Sequence, residues 1–289
     1  MTTEIIIPVP NVLRGTPEMA EKFLSQIIAI QPDRPVILDL SHVTWICPYG
    51  TVILLGVCRY LAQLGGGMVS VTHMQGEVHA YLRRVDFFKR ADEVAYTPDL
   101  FDEANDWSRS EASSNVLELV PISISFDVYQ VKDRARKILD HWLHNASYDI
   151  GKIIGLIAET CSNVADHSCD VGVVTIQKYE WEHYVEIQLA ISDLGVGIQR
   201  SLVSTHGNLF YTNAGYINRA LDGLSARSSA HIGQGLGAIQ RIATASGGSL
   251  SIRSGTGCVL VQAFGRTERD ELTFFPGTQI AVTFRSHLK

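Results

Sequence analysis

The sequence predicts an α/β protein of two domains, and three observations carry that expectation. Residues 1–101 show a strand–helix–strand–helix rhythm, residues 116–289 show two helices, a hairpin and further strands, and a polar, Ser- and acid-rich stretch, residues 102–115, separates them. At 289 residues the chain exceeds one ordinary hydrophobic core, which also favours two domains.

In the first segment, residues 4–9 and 36–40 are expected as strands, the second a nearly continuous apolar run that suits a buried parallel strand. Residues 51–64 follow as a helix. Val52, Leu55, Cys58 and Ala62 share its apolar side, and Gly65-Gly66-Gly67 stops it, because glycine accepts the left-handed cap conformation. Residues 68–72 resume as a strand and 77–85 as a short helix. In the second segment, residues 116–126 are strand-like. Residues 128–144 have helical spacing, with Val131, Ala135, Ile138, Leu139 and Trp142 on one side, and residues 150–166 form a second helix. Residues 171–179 and 184–192 read as an antiparallel hairpin. Residues 198–232 lack clear periodicity and are expected to be an irregular lid. A helix over 236–245 and strands over 250–253, 258–264 and 278–284 complete the domain.

Composition narrows the function classes. A hydrophobic fraction of 46% with 19% charged residues supports a sizeable core, and a net charge of −6 without a basic tract argues against nucleic-acid or anionic-membrane partners. The five cysteines are odd in number and lack paired metal-ligand spacing, so they are expected as reduced thiols packed in the core of a cytoplasmic protein. The N-terminal residues have acidic Glu4 and no basic region before a short Ile run, unlike a signal peptide, and no apolar stretch is long enough to cross a bilayer.

Three clusters carry chemistry. Glu159, Asn163 and His167 recur every four residues, which places them on one stripe of a helix, while Ile153, Ile157, Cys161 and Val164 occupy another face. The stripe therefore edges the core, where a site would be, although an ordinary amphipathic helix has the same pattern. Asp193-Leu194-Gly195-Val196-Gly197 follows a strand. A carboxylate there can accept a hydrogen bond from an exocyclic amine such as adenine N6, and the glycines let a flat base approach; a plain Asp-Gly turn is the alternative. Guanine would be rejected, since it sets a carbonyl acceptor against the carboxylate. Gly233-Gln234-Gly235-Leu236-Gly237 opens a helix, where bare backbone N–H groups can cradle phosphate, unless the glycines only close a loop. A dinucleotide fingerprint needs an apolar strand before such glycines, and residues 224–232 are polar and Ser-rich. Gly277-Thr278 enters the last strand.

In this order and spacing the clusters closely resemble the asparagine and glycine boxes of the GHKL ATPase family, over residues 116–289 and above all its anti-sigma-factor serine kinase and histidine-kinase branches. The resemblance implies a GHKL (Bergerat) α/β sandwich binding ATP and Mg²⁺. Asn163 would be the metal ligand, Asp193 the adenine reader, Thr278 its support through water, and Gly233, Gly235 and Gly237 would lie along the triphosphate. Glu159 would be the general base; His167, Gly195, Gly197 and Leu236 belong to the same nucleotide-binding boxes. Arg227 and Ser228 in the lid are expected either to touch phosphates or to be solvated. Residues 128–144 are one helix without a phosphoacceptor-histidine helix pair, which disfavours an autophosphorylating histidine kinase and leaves His141 and His144 as surface residues.

The first segment resembles a STAS domain, the fold of anti-sigma-factor antagonists, through residues 36–46, Gly50 at a helix start, the glycine stop and the strand 68–72. That family's phosphoacceptor loop is Asp-Ser-Ser/Thr-Gly, whereas this chain has Cys47-Pro48-Tyr49-Gly50, which removes the hydroxyl; Thr51 is a weak substitute. Together the two resemblances imply a serine/threonine kinase of the anti-sigma type, coupled to a STAS-like docking module and acting on a regulatory protein partner or protein substrate. A non-kinase ATP switch and a slow ATPase are the alternatives, and a homodimer is expected because related ATP domains often pair.

Overall fold

Strand pairing distinguishes the two halves of the chain: parallel in the first, antiparallel throughout in the second. The computed structural model describes residues 4–14, 17–30, 34–98, 116–143, 150–209, 211–226 and 235–287. The chain divides into two compact units, Met1–Ser113 and Ser114–Lys289.

The first unit contains β1 (Ile5–Pro8), β2 (Val12–Leu13), α1 (Pro17–Ile28), β3 (Val36–Asp39), β4 (Trp45–Ile46), α2 (Pro48–Leu61), β5 (Val69–Thr72), α3 (Gly76–Arg84), α4 (Phe87–Ala91) and β6 (Ala95–Tyr96). Its sheet runs β1-β3-β5-β6, and β2 pairs with β4 alongside. Helix α1 lies where no element was expected. Its buried Ala20, Phe23, Leu24 and Ile27 follow the i, i+3, i+4, i+7 spacing of one helical face. Helix α2 begins three residues earlier than expected, with Pro48 in its first turn, where a missing N–H costs nothing. It ends in a π-helical turn over Ala62–Gly66, in which Gly65 takes φ 92°. Gly50 packs against β2, and a Cβ there would stand 2.5 Å from Leu13 Cβ. Thr51 is fully buried and donates its hydroxyl to the Cys47 carbonyl at 3.0 Å, so it is no exposed substitute phosphoacceptor.

The second unit contains β7 (Val116–Ile122), α5 (Ser125–Trp142), α6 (Ile150–His167), β8 (Gly172–Glu180), β9 (Tyr184–Ser192), α7 (Gly197–His206), α8 (Asn213–Leu221), α9 (Gly235–Ala245), β10 (Ser249–Gly255), β11 (Gly257–Gln262), β12 (Gly265–Arg269) and β13 (Phe275–His287). One seven-stranded sheet takes the order β12-β11-β10-β13-β9-β8-β7. Helices α6 and α9 bury Ile153, Ile157, Val164 and Ile239 in a common core with Ile191, Ile280 and Val282 of the sheet. That burial supplies the folding drive, at about 25 cal/mol per Å² of apolar surface.

The stretch expected to be an irregular lid contains two helices, α7 and α8, over its described part. Thr212 caps α8 by accepting the Gly215 N–H, and Ala214, Ile217 and Leu221 bury its inner face. The helix has only nine residues and α7 buries only Leu202, so apolar periodicity is short in one and absent in the other. Four of the five cysteines are buried, and burial pushes the Cys58 thiol up to about 12; Cys169 departs from the expected core position and is exposed. Among the described residues no helix is long and apolar enough to cross a membrane.

Candidate nucleotide site

The spacing of polar and apolar residues along α6 decides which of its side chains meet the site. With Ile153, Ile157, Cys161 and Val164 committed to the core, the stripe of Glu159, Asn163 and His167 falls at the edge of that core, half-buried. All three line one cavity of about 740 Å³, with Asp193, Gly197, Gly235, Leu236 and Thr278 in the same wall. Apolar side chains, including Leu156, Val164, Ile191, Leu202 and Ile280, make up much of the remainder.

Asp193 sits where β9 ends, beside Thr278 of β13; its backbone N–H donates to the Thr278 carbonyl at 3.1 Å. Its side chain is only 3% exposed, and Oδ1 accepts the Gly195 N–H at 2.9 Å, which fixes the carboxylate's orientation. The following turn is tied to the loop after α6. Leu194 N–H donates to Asp170 Oδ2 at 2.9 Å, and Val196 N–H donates to the Ser168 carbonyl at 2.9 Å. Ser168 and Asp170 hold each other through the Ser168 hydroxyl, which donates to the Asp170 carbonyl and accepts the Asp170 N–H.

Two glycines make this meeting of backbones possible. A Cβ on Gly195 would lie 1.8 Å from the Ser168 carbonyl oxygen, and one on Gly277, at φ 75°, would lie 2.1 Å from the Asp193 carbonyl oxygen. Gly195→Ala is therefore expected to force the turn away from Ser168 and destabilise the unit by about 3 kcal/mol. Thermal denaturation should show a midpoint lowered by roughly 5–10 °C; an unchanged midpoint would mean that the turn relaxes without cost.

Ser254 of β10 and Gln279 of β13 complete the support. The Ser254 hydroxyl donates to the Gly277 carbonyl at 2.9 Å and accepts the Ile198 N–H at 2.9 Å, so it joins the last strand to the start of α7. Gln279 Nε2 donates to the Pro276 carbonyl at 2.8 Å and to the Asp193 carbonyl at 3.3 Å. Ser168, Asp170, Ser254 and Gln279 belong to none of the three sequence clusters. The signal of Ser254 and Gln279 lies in cross-strand register, where Ser192 faces Gln279 and Ser254 faces Thr278, and register is not written in single-strand periodicity; Ser168 and Asp170 stand in the loop after α6, which has no periodicity to read.

At the other wall Gly235 begins α9 directly against Glu159: a Cβ there would lie 2.5 Å from Glu159 Cγ and 2.7 Å from its Oε1. The base candidate thus touches the helix start expected to face phosphate. Gly237 is buried outside the cavity wall, where a Cβ would meet the Leu221 carbonyl at 2.7 Å; it packs α9 against the end of α8. Gly195 likewise supports the wall without forming it. Gly233, Arg227 and Ser228 lie outside the described residues.

Among the described residues no three His, Cys, Asp or Glu side chains cluster as a metal cage. A magnesium ion delivered with a nucleotide needs none, because it takes most of its ligands from phosphate and water. The Asn163 carboxamide, half-buried on the cavity wall between Glu159 and His167, offers the hard oxygen donor such an ion accepts.

No family model matches the chain, and no curated protein matches it.

Proposed function

We propose that residues 116–289 form a GHKL-type domain that binds Mg-ATP, that residues 1–101 form a STAS-like docking module, and that the chain is a serine/threonine protein kinase of the anti-sigma type acting on a regulatory protein. The observation that carries this reading is the convergence of Glu159, Asn163, Asp193, Gly235 and Thr278, from four separate stretches of sequence, on one cavity with a buried carboxylate at its closed end. The cavity volume and its apolar walls suit a flat heteroaromatic base with a few fixed polar contacts.

Asp193 accepts the adenine amine, and the Thr278 hydroxyl supports the base from the neighbouring strand. The first turn of α9 presents backbone N–H groups to the phosphates, where the helix dipole favours negative charge. Asn163 holds the magnesium ion, which supplies positive charge to the terminal phosphates. Glu159 accepts the proton of the attacking hydroxyl and orients it. In the STAS-like module, Pro48 and the buried Thr51 leave no exposed hydroxyl at positions 48 and 51, which suits docking over phosphorylation.

Calorimetric titration of the full chain with Mg-ATP, Mg-ADP and Mg-GTP tests the reading. Binding of both adenine nucleotides with at least roughly a hundredfold preference over GTP is expected, the scale set by a site built to hydrogen-bond one edge. Absence of adenine-nucleotide binding would end the proposal.

A further inference from the structure

The cavity is graded along α6. At its Asp193 end the wall is buried, with Asp193 3% and Ser168 5% exposed; Glu159, Asn163 and His167 are half-buried; one and two turns further back, Gly155 and Lys152 are exposed but still line it. A nucleotide seated with its base at the closed end directs its terminal phosphate toward Glu159 and Gly235. The wall beyond, from Glu159 back to Lys152, extends about 10 Å along the helix at 1.5 Å per residue.

We infer that this open end, formed by Lys152, Gly155, Leu156 and Glu159, is the acceptor subsite, and that it takes an extended peptide segment with an acidic residue about three positions from its serine or threonine. The inference rests on the nucleotide site proposed above and names the substrate class of that site.

The chemistry of the wall selects this occupant. Among the described residues a Cβ on Gly155 would meet nothing within 4 Å, so the helix backbone there leaves room for a second chain to lie close. Lys152 is the one Lys or Arg among the described residues of the wall, and it stands at the end where the acceptor enters. An extended chain advances about 3.3 Å per residue, so three residues span the distance from a hydroxyl at Glu159 to a carboxylate at Lys152. The acceptor oxygen attacks the γ-phosphorus and its proton passes to the Glu159 carboxylate. The bond from the γ-phosphorus to the β,γ-bridging oxygen breaks, and the electron pair leaves on ADP.

The test uses the full chain, labelled ATP and synthetic peptides holding one serine, with Glu or Lys placed three residues before or after it. The wild type is expected to prefer one Glu-flanked peptide roughly twofold to fivefold in kcat/KM, the scale of an exposed, screened ion pair. Lys152→Glu should reverse the preference toward Lys, Lys152→Arg should keep it, and the ATP dissociation constant should stay within about twofold in both variants. An unchanged preference in Lys152→Glu overturns the inference, as does weakened ATP binding with no change in preference, which would place Lys152 on the nucleotide phosphates. ATP binding with transfer to water alone also overturns it while leaving the nucleotide site intact, whereas absence of ATP binding removes the underlying reading.

Discussion

Asp193→Asn is expected to weaken ATP binding by roughly a hundredfold. The amide has the same size, so the cavity keeps its shape, and its oxygen can still accept the Gly195 N–H now held at 2.9 Å. That choice fixes the amide's orientation: with oxygen toward Gly195, its NH₂ takes the other carboxylate position and turns a donor toward the adenine amine, itself a donor. At a group only 3% exposed, water does not repair the mismatch. Loss of a hydrogen bond to a charged acceptor costs about 1.5–3 kcal/mol, and the unsatisfied donor left in its place puts the effect at the upper end, which is roughly a hundredfold. Calorimetry on wild type and variant reads it, and a thermal midpoint within about 3 °C of wild type shows that the turn survives. A dissociation constant within threefold of wild type would remove Asp193 from base recognition.

The α6 stripe was legible in the sequence because a four-residue spacing needs only a helix to become a face, and the apolar residues at other positions said which face was left over. Asp193 was legible because a carboxylate that directly follows an apolar strand has little choice of position. The glycines were legible as a group but not by role. Gly235 touches Glu159, whereas Gly195 and Gly237 allow backbone approaches outside the cavity, and Gly277, the weakest signal, stands against Asp193 itself. Those distinctions depend on which segments meet, not on the glycine pattern. Helix α1 shows a different kind of miss: its periodicity was present in Ala20, Phe23, Leu24 and Ile27, and Pro17 marked its first turn. Lys152 was also within reach, seven residues before Glu159 and therefore on nearly the same side of α6.

Glu159→Gln is expected to reduce phosphoryl transfer by roughly 10²–10⁴-fold, the usual contribution of a positioned general base. Glutamine retains the shape that fits against Gly235, so the α9 start should stay in place, but its amide cannot take up the proton that leaves the attacking hydroxyl. Nucleotide affinity should change little, within about threefold, because removing one negative charge near the phosphates offsets the loss of the carboxylate's ordering role. Single-turnover transfer from labelled ATP, with calorimetry on the same samples, separates the two effects. Transfer at the wild-type rate would mean that metal charge and positioning carry the reaction and that Glu159 has another role. If wild type and variant bind ATP equally and neither transfers nor hydrolyses it, the chain is an ATP-dependent switch. Its output would then be sought in nucleotide-dependent binding of a protein partner, since a ligand acts on such an equilibrium only through its differential affinity for the two states.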